Sequence, residues 1–155
     1  MHSESEKIAN QLLGKIPIIY SSSRFYPVAY RWKTQFNENS KTSSYCNVFP
    51  ELDHNEINGF KNSEFPLHLI FIRDEEDHKR VQKRMSITKN LIKSENPKIT
   101  FTELSLKGNN LLTRMFSCIY LGDLTSFYLA MKYSTDPTPV EIIEKLKKEL
   151  GHYLN

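Results

Sequence analysis

The sequence predicts an α/β fold, a three-layer α/β/α domain built on a parallel sheet of about four or five strands. Short apolar runs of strand length alternate with amphipathic segments of helical period along the whole chain. Two of these runs, residues 16–20 and 67–72, are almost continuously apolar, which is typical of strands buried on both faces. Strands that alternate with helices in this way favour an open sheet covered by helices on both faces.

The first half of the chain predicts two helices, a buried strand and a long loop. Apolar residues at helical spacing before Gly14 indicate the first helix, and Pro27 suits the first turn of the second. Ser, Asn, Asp and Pro are frequent in the loop, where we also expect one helical turn after Asp53. The predicted elements are a helix at 4–14, a strand at 16–20, a helix at 27–39, and a loop at 40–65 with a short strand near 45–49.

The second half shows clearer helix boundaries. Asp74 is a good N-cap for a long charged helix, and Asn109 or Asn110 begins an apolar helix in which Gly122 is a candidate point of interruption. Thr138, with a glutamate three residues later, predicts a capping box for the last helix. The predicted elements are a strand at 67–72, a helix at 75–93, a strand at 99–104, a buried helix at 111–134 and an amphipathic helix at 140–150.

Composition excludes several classes of protein. A chain of 155 residues with 39% hydrophobic and 25% charged residues is that of one globular domain. Its net charge of +3 is spread along the chain, so we expect no nucleic-acid partner. No apolar run approaches the ~20 residues that span a bilayer, and the first ten residues lack a signal peptide's apolar core, so we expect a cytoplasmic protein without a membrane partner. Two cysteines make neither a disulfide framework nor a four-ligand zinc site.

The loop over residues 37–59 is the strongest candidate for a functional site. It carries Glu38 and His54, which together supply a base and a proton carrier near neutral pH. A plainer interpretation is that Asp53 caps a short helix and the remaining residues are solvated. His54 with its acidic neighbours fits no standard zinc spacing, and a nucleophilic pair of Cys46 and His54 is less usual than a cysteine used for packing.

A second candidate follows the first strand. Ser21 and Ser22 precede Ser23 and Arg24, and hydroxyls beside a helix N-terminus suit a phosphate. The glycines of a P-loop or dinucleotide fingerprint are missing, so the signal is weak when taken alone.

Three motifs resemble the C-terminal half of the bifunctional phosphoglucose/phosphomannose isomerases, which belong to the sugar-isomerase (SIS) superfamily. They are NENSK at 37–41, PELDHNEINGF at 50–60, and GDLTSFYLA with DPTPVEIIEKLKKEL within 122–150. The resemblance extends from about residue 16 to residue 150. It implies a single SIS-type domain over residues 1–155, equivalent to the second of two such domains, and we expect the first to be absent.

The resemblance implies an activity and a role for several residues. Members of this family interconvert glucose 6-phosphate or mannose 6-phosphate with fructose 6-phosphate, without a metal or other cofactor. Glu38 is similar to the base that moves a proton between C2 and C1 through a cis-enediol, and His54 to the residue that opens the sugar ring. Lys132 is similar to a lysine that assists ring opening, and Thr125 to a small residue associated with accepting mannose.

Spacing alone supports only part of this assignment. Seven residues make two helical turns, so Thr125 and Lys132 share one face of a regular helix. Lys132 also fits a side chain that merely extends out of an apolar helix to reach water. The family carries its phosphate-binding loop in the first SIS domain, so this chain is expected to lack part of the site.

Partners and rival functions follow from the same resemblance. We expect a sugar-phosphate substrate and either a homodimer or an N-terminal SIS domain as partner, because residues 111–131 and 140–150 carry more apolar surface than one domain needs. In the family, the histidine at the position of His54 reaches the site of a neighbouring subunit. A non-catalytic module that senses sugar phosphates, or a dimerisation domain, are the alternatives.

Overall fold

The computed structural model describes residues 1–151. The strands are β1 (Ile16–Ser22), β2 (Tyr45–Phe49), β3 (Leu67–Arg73) and β4 (Thr100–Ser105). The helices are α1 (His2–Leu12), α2 (Tyr26–Glu38), α3 (Glu56–Gly59), α4 (Lys79–Glu95), α5 (Leu111–Lys132) and α6 (Glu141–Leu150). Two 3-10 turns, at Ser23–Phe25 and Glu51–His54, follow the first two strands.

The four strands form one parallel sheet in the order β2-β1-β3-β4. The chain first adds β2 on one side of β1 and then crosses to add β3 and β4 on the other side. The predicted α/β class and strand count are therefore confirmed. In such sheets, the crevice at the carboxyl ends of the strands where the order reverses, here between β1 and β3, is the usual ligand position.

Helices cover both faces of the sheet and separate the core into two clusters. On one face, α1, α2 and α5 pack against Ile19, Ile70 and Ile72. On the other face, α4 and the segment after β2 pack against the aromatic side chains of Tyr20 and Phe71. The alternation of side chains along β1 and β3 supplies both clusters, because successive residues of a strand point to opposite faces.

Two predicted helix caps are wrong. The long charged helix α4 begins at Lys79, where His78 is the N-cap, and not directly after Asp74. The Asp74 carboxylate forms ion pairs with Arg24 and Arg114 instead, so the chain makes a turn before the helix starts. Thr138 caps no helix, because α6 starts at Glu141 with Val140 as its N-cap and without a side-chain cap, although the predicted helix bounds of 140–150 hold to within one residue.

Helix α5 passes through Gly122 without interruption. The glycine is needed because the Trp32 indole of α2 lies against the helix at this point, and its Nε1–H donates to the carbonyl of Cys118 at 2.8 Å. Although α5 has 22 residues, no helix among residues 1–151 is both long and apolar enough to cross a membrane.

We expect Gly122→Ala to lower the free energy of unfolding by about 1–2 kcal/mol. An added Cβ would lie no more than 2.6 Å from three atoms of the buried Trp32 indole, and overpacking of this kind outweighs the gain in helix propensity. Gly59→Ala is the matched control, because a Cβ there meets no atom within 4 Å. Urea denaturation measures both, and equal stabilities for the two variants would contradict the prediction.

Candidate functional site

The predicted site residues divide between the two edges of the sheet. Because the strands are parallel, all of them end at one edge, called here the carboxyl edge, and begin at the opposite amino edge. Residues 21–24 follow β1 and His54 follows β2, so both lie at the carboxyl edge. Helices α2 and α5 run back from that edge, and their last residues, Glu38 and Lys132, lie at the amino edge.

Glu38 faces a cavity at the amino edge. The cavity has a volume of about 500 Å³ and lies between the end of α2, the linker after α5 and the first turn of α6. Its walls combine polar groups, among them Asn37 and Asp136, with the apolar side chains of Ile142 and Ile143. Glu38 itself is exposed, so its carboxylate is accessible to a ligand that enters this cavity.

The neighbours of Glu38 in the NENSK motif hold the end of α2 in place. Asn39 donates to the hydroxyl of Ser126 on α5 at 2.8 Å, and Asn37 donates to the carbonyl of Thr42 at 2.8 Å. Lys41 adopts a positive φ of 53° and donates to the carbonyls of both Glu38 and Pro137. These contacts connect the helix end to α5 and to the linker, and they leave the Glu38 carboxylate free.

His54 is exposed at the end of the 3-10 turn that follows β2. Its acidic neighbours point elsewhere, since Asp53 accepts a hydrogen bond from Thr88 on α4 and Glu56 accepts one from Tyr20 on β1. No three His, Cys, Asp or Glu side chains among the described residues are grouped so that they could hold a metal ion. The carboxylates next to His54 therefore attach this segment to α4 and to β1.

Cys46 does not form a nucleophilic pair with His54. Within residues 1–151 no hydrogen bond joins the two side chains, and Cys46 lies on β2 while His54 follows that strand. Burial raises the pKa of the Cys46 thiol above its usual value, which opposes formation of the thiolate nucleophile.

Thr125 and Lys132 lie on one face of the regular helix α5, as the spacing predicts. Thr125 is fully buried and donates to the carbonyl of Leu121 at 2.7 Å. The Lys132 ammonium lies 3.8 Å from the Glu6 carboxylate of α1. No hydrogen bond or ion pair of the described residues joins Glu38, His54 and Lys132, so this chain does not bring these three groups into contact.

The position after β1 is occupied by an ion cluster that the sequence did not reveal. Arg24 and Arg114 both pair with Asp74, whose side chain is 1% exposed, and both also pair with Glu76. Asp77 lies 3.8 Å from Arg24. Three carboxylates against two guanidinium groups leave an excess negative charge, which opposes binding of a phosphate there.

Ser21 and Ser22 are likewise not displayed to solvent. Both are buried, and the Ser21 hydroxyl donates to the Ser22 carbonyl at 3.0 Å. A substrate-binding role for Ser21, Ser22 and Arg24 stays a prediction that these contacts do not favour. No pattern in the sequence indicates that Asp74 and Arg114 form an ion pair, because the two residues are far apart in the chain.

The parallel sheet, its reversal of strand order and the helices on both faces define the chain as an open, doubly wound α/β domain. Residues 1–150 match the family described as bacterial phospho-glucose isomerase C-terminal SIS domain, and the chain belongs to that family. Among solved structures, a glucose-6-phosphate isomerase like protein from Thermus thermophilus matches with a TM-score of 0.73 at 22% identity, over 93% of this chain and 46% of that one. This likeness shows the fold.

Two relatives share the description bifunctional phosphoglucose/phosphomannose isomerase. The protein from Caldicellulosiruptor bescii is 46% identical over 151 residues, which cover 95% of this chain and 44% of the relative. The protein from Aquifex aeolicus is 38% identical over 152 residues, which cover 97% of this chain and 47% of the relative. The chain therefore spans a little less than half the length of these relatives.

His68 is a buried histidine that sequence reasoning did not single out. It lies on β3, and its two ring nitrogens are 2.7 Å and 2.8 Å from the hydroxyls of Thr100 and Thr102 on β4. Burial, with a further contribution from the Lys15 ammonium, lowers the pKa of His68 to about 4. The ring is therefore neutral in the folded protein at physiological pH.

We expect the stability of the fold to decrease as the pH falls from about 6.5 to about 4. In this window the unfolded chain binds a proton at His68 while the folded chain, with its pKa of about 4, does not, and excess proton binding by the unfolded state lowers stability. His68→Gln should flatten this dependence in urea titrations at several pH values. Equal slopes in the parent protein and in His68→Gln would disprove the assignment.

Proposed function

We propose that this chain is the Glu38-bearing half of a phosphosugar aldose–ketose isomerase that interconverts glucose 6-phosphate or mannose 6-phosphate with fructose 6-phosphate. The observation that carries the proposal is the match of almost the whole chain to relatives described as bifunctional phosphoglucose/phosphomannose isomerases. The cavity at the end of α2, with an accessible carboxylate in its wall, supports it.

In the proposed reaction, the Glu38 carboxylate removes the proton from C2 of the open-chain aldose. The electron pair of the broken C–H bond forms the C1–C2 double bond of a cis-enediol, and the carbonyl oxygen at C1 takes up a proton. The enediol then returns electron density to C1, Glu38 delivers its proton there, and the C2 hydroxyl becomes the ketone as it releases to water a proton equal to the one that the C1 oxygen took up from water. One carboxylate above two adjacent carbons is sufficient for both transfers, so the proposed mechanism requires no metal.

Ring opening precedes this step and is the proposed task of His54, assisted by Lys132. An imidazole near neutral pH exchanges protons with the ring oxygen and O1. His54 lies at the carboxyl edge and Glu38 at the amino edge of this chain. We therefore propose that His54 acts at the Glu38 site of a second copy.

In this proposal, Thr125 does not contact the substrate, and the phosphate group of the substrate does not bind at the carboxyl edge of this chain. Thr125 is fully buried, so its small volume affects how α5 packs behind the site and it makes no contact with the sugar. The ion cluster at Arg24 opposes a phosphate at the carboxyl edge. The phosphate is therefore proposed to bind the half of the relatives that this chain does not match.

We also propose that the chain forms a two-fold dimer through the outer face of α5. Leu112, Phe116, Tyr120 and Phe127 are between 43% and 66% exposed on this helix. The first three are four residues apart, so they follow one face of α5. An isologous pair of such faces would remove this apolar surface from water.

A sensor that binds sugar phosphates without turnover is the second candidate, because no hydrogen bond or ion pair of the described residues joins Glu38, His54 and Lys132. Fructose 6-phosphate added to the chain, alone and mixed with the unmatched half of the Caldicellulosiruptor bescii relative, separates the two functions. Thermal stabilisation without any aldose phosphate formed in either mixture would favour the sensor.

We expect Glu38→Gln to lower kcat for fructose 6-phosphate by about 10²–10⁴-fold in the mixture with the unmatched half of the relative. The amide retains the shape of the side chain but cannot accept the C2 proton. Glu64→Gln, at an exposed glutamate of a loop, is the control and should retain full activity. A coupled enzyme assay measures both variants, and unchanged turnover in Glu38→Gln would show that another group is the base.

We expect the double variant Phe116→Ser with Tyr120→Ser to weaken dimerisation by at least about tenfold, because each buried aromatic contributes roughly 1.5–3 kcal/mol. Both side chains are exposed in the single chain, so folding should not change. Phe65→Ser, at a phenylalanine that is 71% exposed outside α5, is the control. Sedimentation equilibrium at micromolar concentration measures the three proteins, and a monomeric parent chain would refute the dimer.

A further inference from the structure

We infer that Asp53 and Glu56, the two carboxylates on either side of His54, are positioning residues that hold this histidine in its place for the reaction. The inference rests on the proposed function for the role of His54, but the contacts that carry it belong to the chain itself. The sequence alone offers these acidic residues as candidate metal ligands or as solvated loop residues, and their hydrogen bonds indicate a different use.

Asp53 fastens the turn before His54 to helix α4. Its two carboxylate oxygens accept hydrogen bonds from Thr88 Oγ1 at 2.7 Å and from Arg84 Nη1 at 3.1 Å. The Asp53 side chain is only 12% exposed, and Thr88 is buried. A charge-assisted pair of bonds in such a place is stronger and better oriented than one in open solvent.

Glu56 fastens the chain after His54 to the sheet. One carboxylate oxygen accepts from the Tyr20 hydroxyl of β1 at 2.6 Å, and the other accepts from the side-chain amide of Asn47 on β2. Burial, and then this hydrogen bond to Glu56, raise the pKa of Tyr20, so the phenol remains a donor. The backbone N–H of Glu56 also bonds to the Asn55 side chain at 2.6 Å.

His54 is therefore an exposed side chain whose backbone is held on both sides by the hydrogen bonds of Asp53 and Glu56. Leu52, two residues earlier, is fully buried and adds a third attachment. Movement of the backbone on both sides of the histidine is therefore restricted by three parts of the fold: helix α4, the strands β1 and β2, and the core. Among residues 1–151 the His54 ring itself makes no hydrogen bond, so its position depends on this backbone.

This arrangement matters because a reacting group misplaced by about 1 Å loses up to about 10²-fold in rate. The His54 ring must remain free for a substrate, so a hydrogen bond to the ring cannot hold it. The two carboxylates hold the backbone on either side of it instead. Loss of either carboxylate should loosen the histidine without removing any group that touches the sugar.

The first part of the test needs no activity. In this chain, labelled with ¹³C at histidine Cε1, relaxation measurements report the mobility of the His54 ring. Asp53→Ala and Glu56→Ala should each increase that mobility, and Asp53→Asn and Glu56→Gln should increase it less, because an amide oxygen still accepts one bond. Asp123→Ala is the control, since Asp123 pairs with Arg31 on the exposed α2–α5 surface. Equal mobility in all proteins would overturn the inference.

The second part is a double-mutant cycle on turnover, in the mixture with the unmatched half of the relative. Asp53→Ala and Glu56→Ala should lower kcat by about tenfold or more, and each should change it by less than about twofold when added to His54→Ala. The same loss in both backgrounds would mean that the carboxylates do not act through His54. If His54→Ala itself retains full kcat while the mobility changes persist, the role proposed for His54 fails and the fastening of the loop stands.

Discussion

The close approach of the Trp32 indole to the backbone at Gly122 governs how α2 and α5 lie against each other. The indole N–H donates to the Cys118 carbonyl, and no side chain on α5 separates the ring from the helix. Both helices end at the amino edge because each follows a strand of the parallel sheet, and this contact sets the spacing between them. Glu38 and Lys132 are the residues at those ends, so the geometry of the proposed site depends on a packing contact that contains none of its reacting groups.

The two edges of the sheet have different uses in this domain. The carboxyl edge is where open α/β sheets commonly bind ligands, but here Arg24 and Arg114 form ion pairs with Asp74 and Glu76, and Asp77 lies beside Arg24, which leaves an excess of negative charge. The amino edge has the open cavity beside Glu38. The pair of Asp74 and Arg114 is buried, and removing one partner of such a pair leaves uncompensated charge in a poorly solvated place. The proposed site therefore lies at the end of the helices, beside the cavity at Glu38.

The acidic residues of the PELDHNE motif suggest the wrong role when only the sequence is known, because their hydrogen-bond partners lie on other elements of the fold. Asp53 and Glu56 stand next to a histidine in the sequence and suggest a metal or an acid–base site. Their carboxylates are instead occupied by Thr88, Arg84, Tyr20 and Asn47 from other elements. His54 and Glu38 are both exposed and remain accessible to a ligand.

The sequence by itself determined the α/β class, the four strands and the approximate limits of the long helices. These features follow from the periodicity of apolar residues, which depends only on neighbours a few positions away in the chain. The sequence also indicated residues 37–59 as the candidate site, where the structure places Glu38 at the end of α2 and His54 in the turn after β2. The tertiary structure decided that Asp74 pairs with two arginines and does not cap α4, that Gly122 makes room for an indole, and that Glu38 and His54 lie at opposite edges. Each of these outcomes depends on a partner from a different element, often tens of residues away, and only the folded chain brings such partners together.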